Sequence, residues 1–204
     1  MRKSVFLVLV LVSGLAAAAG AQTLVAVLNG ANEAPGPGDS DGFGLAGLRL
    51  EGTSVVFNMM VKDIATPTAS HIHRGAAGVP GPVIITLASS FPNNSASGVA
   101  SASATLIDEI RNNPEGFYVN VHNAGFPGGA VRGQLSSGAF AVATGAAEVP
   151  GPGDTDGSGM AVFTGGEGGT LNYSAMVQNV DAPSASHIHR GASTVAGPVV
   201  ITLA

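Results

Sequence analysis

The sequence predicts an all-β fold, an antiparallel β-sandwich or a Greek-key-like open barrel with one short helix, and three observations point there. Glycine and proline fill 42 of the 204 positions, well above the usual level of about 12%, so tight turns are frequent. The apolar stretches are short and either β-branched or strictly alternating, which is the pattern of strands. Only one segment carries helical spacing. With 45% hydrophobic and 10% charged residues, the chain has the opposite composition to a disordered one.

Taken in order, residues 24–28 open with an apolar run, residues 53–61 are rich in β-branched and large apolar side chains, and residues 83–87 form a compact β-branched run behind Gly81-Pro82. Residues 105–113 make the helix, with Thr105 and Asp108 spaced as a capping box, Leu106 and Ile110 on one side, and Pro114 as the stop. Residues 117–122 alternate: Phe117, Val119 and Val121 share one face, Tyr118, Asn120 and His122 the other. Beyond the turn at Phe126-Pro127-Gly128-Gly129, residues 130–135 alternate again. Val131 and Leu135 are expected inward and Arg132 and Gln134 outward, as in the second arm of a hairpin.

The N-terminus has the features of a secretory signal peptide over residues 1–21. Arg2 and Lys3 precede an apolar run, and Ala19 and Ala21 offer a small-residue cleavage site before Gln22. The run is short of the roughly 20 residues that a membrane span needs, so no transmembrane segment is expected in the mature chain. The expected location is secreted, extracellular or periplasmic. Residues 22–204 keep 6 basic against 13 acidic side chains. That balance lacks the basic stripe of a nucleic-acid binder, so no nucleic-acid partner is expected. Without cysteine, neither disulfides nor a thiol nucleophile are available.

The chain is also similar to itself. Gly30, Glu33, Pro35-Gly36-Pro37-Gly38-Asp39 and Asp41-Gly42 recur 115 residues later as Gly145, Glu148, Pro150-Gly151-Pro152-Gly153-Asp154 and Asp156-Gly157. Ser70-His71-Ile72-His73-Arg74-Gly75 returns as Ser186-His187-Ile188-His189-Arg190-Gly191, and Gly81-Pro82-Val83 as Gly197-Pro198-Val199. The expected organisation is a complete domain over residues 23–136 and a partial, truncated repeat over residues 140–204. A partial copy would leave an open strand edge near residues 199–203, suited to self-association.

His71-Ile72-His73-Arg74-Gly75, then Tyr118-Val119-Asn120-Val121-His122, then Gly129-Ala130-Val131-Arg132-Gly133-Gln134-Leu135 resemble the CHRD (chordin-type) domain. The resemblance spans the first copy. The second copy is similar to its first half only, with no counterpart of residues 118–122 or 129–135. It implies an extracellular module; it does not carry over growth-factor binding, which belongs to cysteine-rich modules missing here.

All five histidines fall inside these motifs. On an extended strand His71 and His73 project from one face about 6–7 Å apart, and His122 is the third candidate ligand, with an Asp or Glu from the early turns as a fourth. Zinc and copper suit imidazole best. The competing reading is a polar network in which His71, Tyr118, Asn120, His122 and Arg132 fix the loop carrying residues 75–81, with His187, His189 and Arg190 as the second-copy equivalents. Asp39 and Asp41 offer too few oxygens for calcium, which needs six to eight. Neither Glu33 nor Glu148 has a second carboxyl adjacent to it in the sequence, so an acid/base pair is unsupported. The expected function is a secreted structural or binding module, not an enzyme, directed at an extracellular or envelope protein or surface ligand. The alternative is a histidine-based metal-binding or metal-dependent redox protein.

Overall fold

The computed structural model describes residues 6–9 and 21–203. Apart from those few positions, the leader expected over residues 1–21 lies outside the described residues. The elements are β1 (Phe6–Leu9), β2 (Gln22–Asn29), β3 (Phe43–Glu51), β4 (Ser54–Lys62), β5 (Pro67–Arg74), β6 (Val83–Ala88), β7 (Ser95–Ser101), α1 (Ala104–Asn112), β8 (Phe117–Asn123), β9 (Val131–Gln134) and β10 (Ser136–Ser137). They continue with β11 (Ala139–Thr144), β12 (Ser158–Gly165), β13 (Leu171–Gln178), β14 (Ala185–His189) and β15 (Val199–Thr202). The fold is all-β with a single short helix among the described residues.

Nine strands form one antiparallel sheet in the order β6-β5-β8-β9-β2-β3-β4-β7, with β10 added beside β2. Its end strands β6 and β7 come within 8 Å of each other, so the sheet curls into a near-barrel. Alternation fills the interior with Leu24, Leu28, Leu48, Leu50, Val55, Ile72, Val119, Val121, Val131 and Leu135, each fully buried. Burying such a side chain stabilises by about 1.5–3 kcal/mol. The remaining strands make two three-stranded sheets, β11-β12-β13 and β1-β14-β15, with β15 at an edge. By compactness the described residues divide into a larger unit, residues 21–139 with 162–174, and a smaller one, residues 6–9, 140–161 and 175–203. Among the described residues no helix is long and apolar enough to cross a membrane.

Two expectations need correction. The helix is capped by Ser103, whose Oγ accepts from the Leu106 N–H at 3.2 Å, and not by Thr105. Starting the helix there lets Ile107 and Ile110 enter the core fully buried, a better apolar face than Leu106 with Ile110. Arg132 does alternate away from the core, as expected, yet it is only 1% exposed. Both faces of the sheet are covered at β8 and β9, where all seven residues of β8 are buried.

Candidate metal centre

The outer face of β5, β8 and β9 carries the polar side chains. Antiparallel register sets His71 opposite Asn120, His73 opposite Tyr118 and Ala69 opposite His122. On the far side of β8, Asn120 faces Arg132 and Tyr118 faces Gln134. Because Ile72, Val119, Val121 and Val131 take the core, period-two alternation sends His71, His73, Tyr118, Asn120, His122, Arg132 and Gln134 to one common surface.

There the three imidazoles converge. Ring centroids lie 4.9 Å apart for His71–His122, 5.7 Å for His71–His73 and 5.8 Å for His73–His122. One ring nitrogen from each lies within 4.8 Å of the others. A tetrahedral zinc ion spaces its nitrogen ligands about 3.4 Å apart, so a modest inward turn of the rings closes the set.

Hydrogen bonds fix which nitrogens these are. His73 Nδ1 lies 2.9 Å from the Gly81 carbonyl and His122 Nδ1 3.1 Å from the Pro127 carbonyl. A carbonyl only accepts, so both Nδ1 atoms carry the proton and both Nε2 atoms present lone pairs, the usual arrangement around a metal-bound imidazole. Those two Nε2 atoms and His71 Nδ1 are buried without a hydrogen-bond partner. Burial holds all three imidazoles below the ordinary histidine range, with added repulsion from neighbouring rings at His71 and His122 and from Arg132 at His73, and His122 falls to about 4. They are neutral at neutral pH, the form that binds metal.

A second set of contacts fastens the loop that orients His73. The Arg132 guanidinium lies 3.4 Å from the centre of the Tyr118 ring and donates to the Ala76 and Val79 carbonyls at 2.8 and 3.0 Å. Gln134 donates to Gly75 O, and the Tyr118 hydroxyl accepts from Gly81 N–H at 3.0 Å. At Gly81 the chain passes so near Arg74 that a Cβ would fall 1.5 Å from its carbonyl oxygen. The polar network and the converging imidazoles are parts of the same site.

Among the described residues no acidic side chain completes the group. Neither Glu33, Asp39 nor Asp41 joins the three histidines, which corrects the expectation of a carboxylate fourth ligand. Burial raises the Asp39 pKa, and its hydrogen bond to Asp41 and the repulsion between the two carboxyls add to the rise. Glu33 lies elsewhere on the same face. Its Oε2 accepts from Asn120 Nδ2 at 3.3 Å, and its Oε1 is buried without a partner. Burial raises it to about 7, against the lowering influence of Arg132 and Asn120. Gly129, at φ +142°, admits this contact: a Cβ there would stand 2.4 Å from Glu33 Oε2 and 2.6 Å from Asn120 Nδ2. Sequence reasoning offered Glu33 only among the early acidic residues that could supply a fourth ligand, and the one signal that set it apart was its repetition as Glu148 beside the same Gly-Pro turn.

The similar sequence at residues 186–198 rebuilds part of this arrangement. His187 and His189 rings lie 5.9 Å apart, His189 Nδ1 meets Gly197 O at 2.8 Å, and Arg190 N–H donates to Pro198 O as Arg74 N–H does to Pro82 O. The Ala34-Pro35 and Val149-Pro150 peptides are both cis. Among the described residues no third histidine joins His187 and His189.

None of the curated proteins and none of the solved structures compared with the chain matches it. The CHRD domain family matches residues 24–135 and 139–204, nearly the whole chain. The residues that build the site lie within the first of these segments, and the chain belongs to the CHRD domain family.

Proposed function

We propose that the CHRD domain of residues 24–135 is a metal-binding module that holds one copper or zinc ion on His71 Nδ1, His73 Nε2 and His122 Nε2. The observation that carries this reading is the convergence of three buried, unpartnered imidazole nitrogens, two of them oriented by backbone carbonyls. Buried polar atoms in folded proteins are nearly always paired, so a convergent unpaired set calls for an occupant. Three neutral nitrogen donors suit zinc or copper. With three protein ligands, one position stays open to water or a small ligand, and copper there would add one-electron redox chemistry. No enzymatic activity is assigned. Metal analysis of the purified protein tests the reading: about one equivalent is expected, lost in His71→Ala and in His122→Ala. Near-zero metal in the native protein under non-chelating conditions, with none taken up on titration, overturns it.

The Arg132 contacts to Ala76 and Val79 favour a second reading, a purely structural or binding module in which the network only stiffens the loop. The metal analysis separates the two. Export to the extracellular space or periplasm fits the basic-then-apolar start and the family. Residues 139–204 read as a partial copy, and the edge position of β15, with Val199, Val200 and Ile201 exposed, supports self-association as its use.

A further inference from the structure

The metal reading gives Glu33 no task, yet its surroundings are those of a working acid. The turn that follows β2 brings the carboxyl onto the outer face of β8 and β9, between Gly38 on its own turn and Gly129 on the turn before β9. From β8 it meets Asn120, which donates to Oε2, and from β9 the Arg132 charge acts on it through space. Arg132 is the charged group that faces it from these elements; the nearby Asp39 is engaged with Asp41. Oε1 has no partner, and neither do Asn120 Oδ1 and the Arg132 Nε and Nη1 atoms. A carboxylate with one bare oxygen in a dry site is costly, whereas the neutral acid is not. Asn120 also connects this carboxyl to the metal ligands, since it sits directly opposite His71 and two positions from His122 on the same face.

On the metal-binding reading, and resting on it, we propose that Glu33 is the proton-exchanging group of the centre. When a divalent cation settles on the three imidazoles, the Glu33 O–H bond breaks, the proton passes to solvent, and the carboxylate left behind is held by Asn120 and Arg132. No electron moves. The added positive charge on the face is thereby partly balanced by a negative charge made in place. The imidazoles themselves supply no proton, because burial already keeps them neutral.

The test is calorimetric titration of Zn²⁺ into the full chain in two buffers of different ionisation enthalpy, which counts protons released per ion. Because Glu33 titrates at about 7, the native protein at neutral pH should release about half a proton per ion more than Glu33→Gln, any metal-bound water contributing equally to both. Equal counts in the two proteins, with zinc bound in each, overturn the assignment to Glu33 while leaving the metal site standing. Absence of zinc binding in the native protein overturns both. If the variant fails to fold, the infrared carbonyl band of a neutral carboxyl in the native protein decides. It should disappear when zinc is added, and its persistence at full occupancy refutes the proposal.

Discussion

Replacing Glu33 by Gln in the metal-free protein should change stability in a manner that depends on pH. The carboxyl titrates at about 7 in the folded protein against an ordinary 4.5, so the folded state holds this proton more tightly than the unfolded state does. Between those values folding takes up a proton, and the destabilisation caused by the buried charge develops as pH rises from 4.5 to 7 and is complete above 7. At about 1.36 kcal/mol per unit the full effect would be about 3.4 kcal/mol. The side chain is half-buried, so solvent screening reduces the expectation to about 2 kcal/mol. The substituted amide carries no charge at any pH. Native and Glu33→Gln proteins should therefore be nearly equal in stability at about pH 4.5, and the variant more stable by about 2 kcal/mol at about pH 8. His122 acts in the opposite direction, since its folded value of about 4 lies below the ordinary 6.5 and stability is lost as pH falls between the two. That contribution is common to both proteins and cancels in the comparison. Urea unfolding followed by far-ultraviolet circular dichroism, with chelator present, measures the gap. A gap that stays constant with pH, or a variant that is less stable at pH 8, would refute the assignment of a buried, neutral-leaning acid at Glu33.

Three further outcomes follow from the geometry. Zinc at about a hundred times its dissociation constant should raise folding stability by about 2.7 kcal/mol, a thermal-shift increase absent from His71→Ala, and an equal shift in that variant would place the ion elsewhere. Arg132→Met removes the bonds to Ala76 O and Val79 O at 2.8 and 3.0 Å and should destabilise by about 3 kcal/mol. Amide exchange should quicken first in residues 75–81. Ser103→Ala should cost about 1 kcal/mol through loss of the helix cap, whereas Thr105→Ala should leave urea unfolding nearly unchanged; the reverse order would restore the cap to Thr105.

What the sequence disclosed depended on whether the relevant interaction is local. β8 was legible because its two faces differ in chemistry at every step, and the fate of its polar face followed from the same alternation. β7, with Ser95, Ala96, Ser97, Gly98, Val99, Ala100 and Ser101, offers no such contrast, and its place in the sheet comes from pairing with β4. β3 was hidden by Gly44 and Gly47, which dilute the apolar run. The helix cap was misplaced because Ser103 and Thr105 are both good capping residues, and the choice between them is made by which isoleucines reach the core. The histidine triad stood half in view, since the spacing of His71 and His73 is a local signal while the approach of His122 is set by the β5–β8 register. Glu33 meets Asn120 across 87 positions of chain, beyond the reach of any local pattern.

The two similar His-x-His segments separate what the loop contributes from what the sheet contributes. His73 and His189 are each oriented by a glycine carbonyl eight residues on, at 2.9 and 2.8 Å. In both segments that glycine runs so close to the preceding arginine that a Cβ would fall 1.5 and 1.7 Å from the arginine carbonyl oxygen. The loop thus orients its histidine through its own sequence, and around His189 it does so beside the parallel strand β1 and not an antiparallel strand such as β8. The third imidazole is different in kind. His122 reaches the pair because β8 lies beside β5, and its tautomer is set by Pro127 in the turn that leads to β9. Glu33 likewise depends on Asn120 of β8 and Arg132 of β9. The loop that follows the His-x-His strand is therefore an orienting device, and on the proposed metal reading the third ligand and the partners of the charge-balancing carboxyl come from the β8–β9 hairpin beside it.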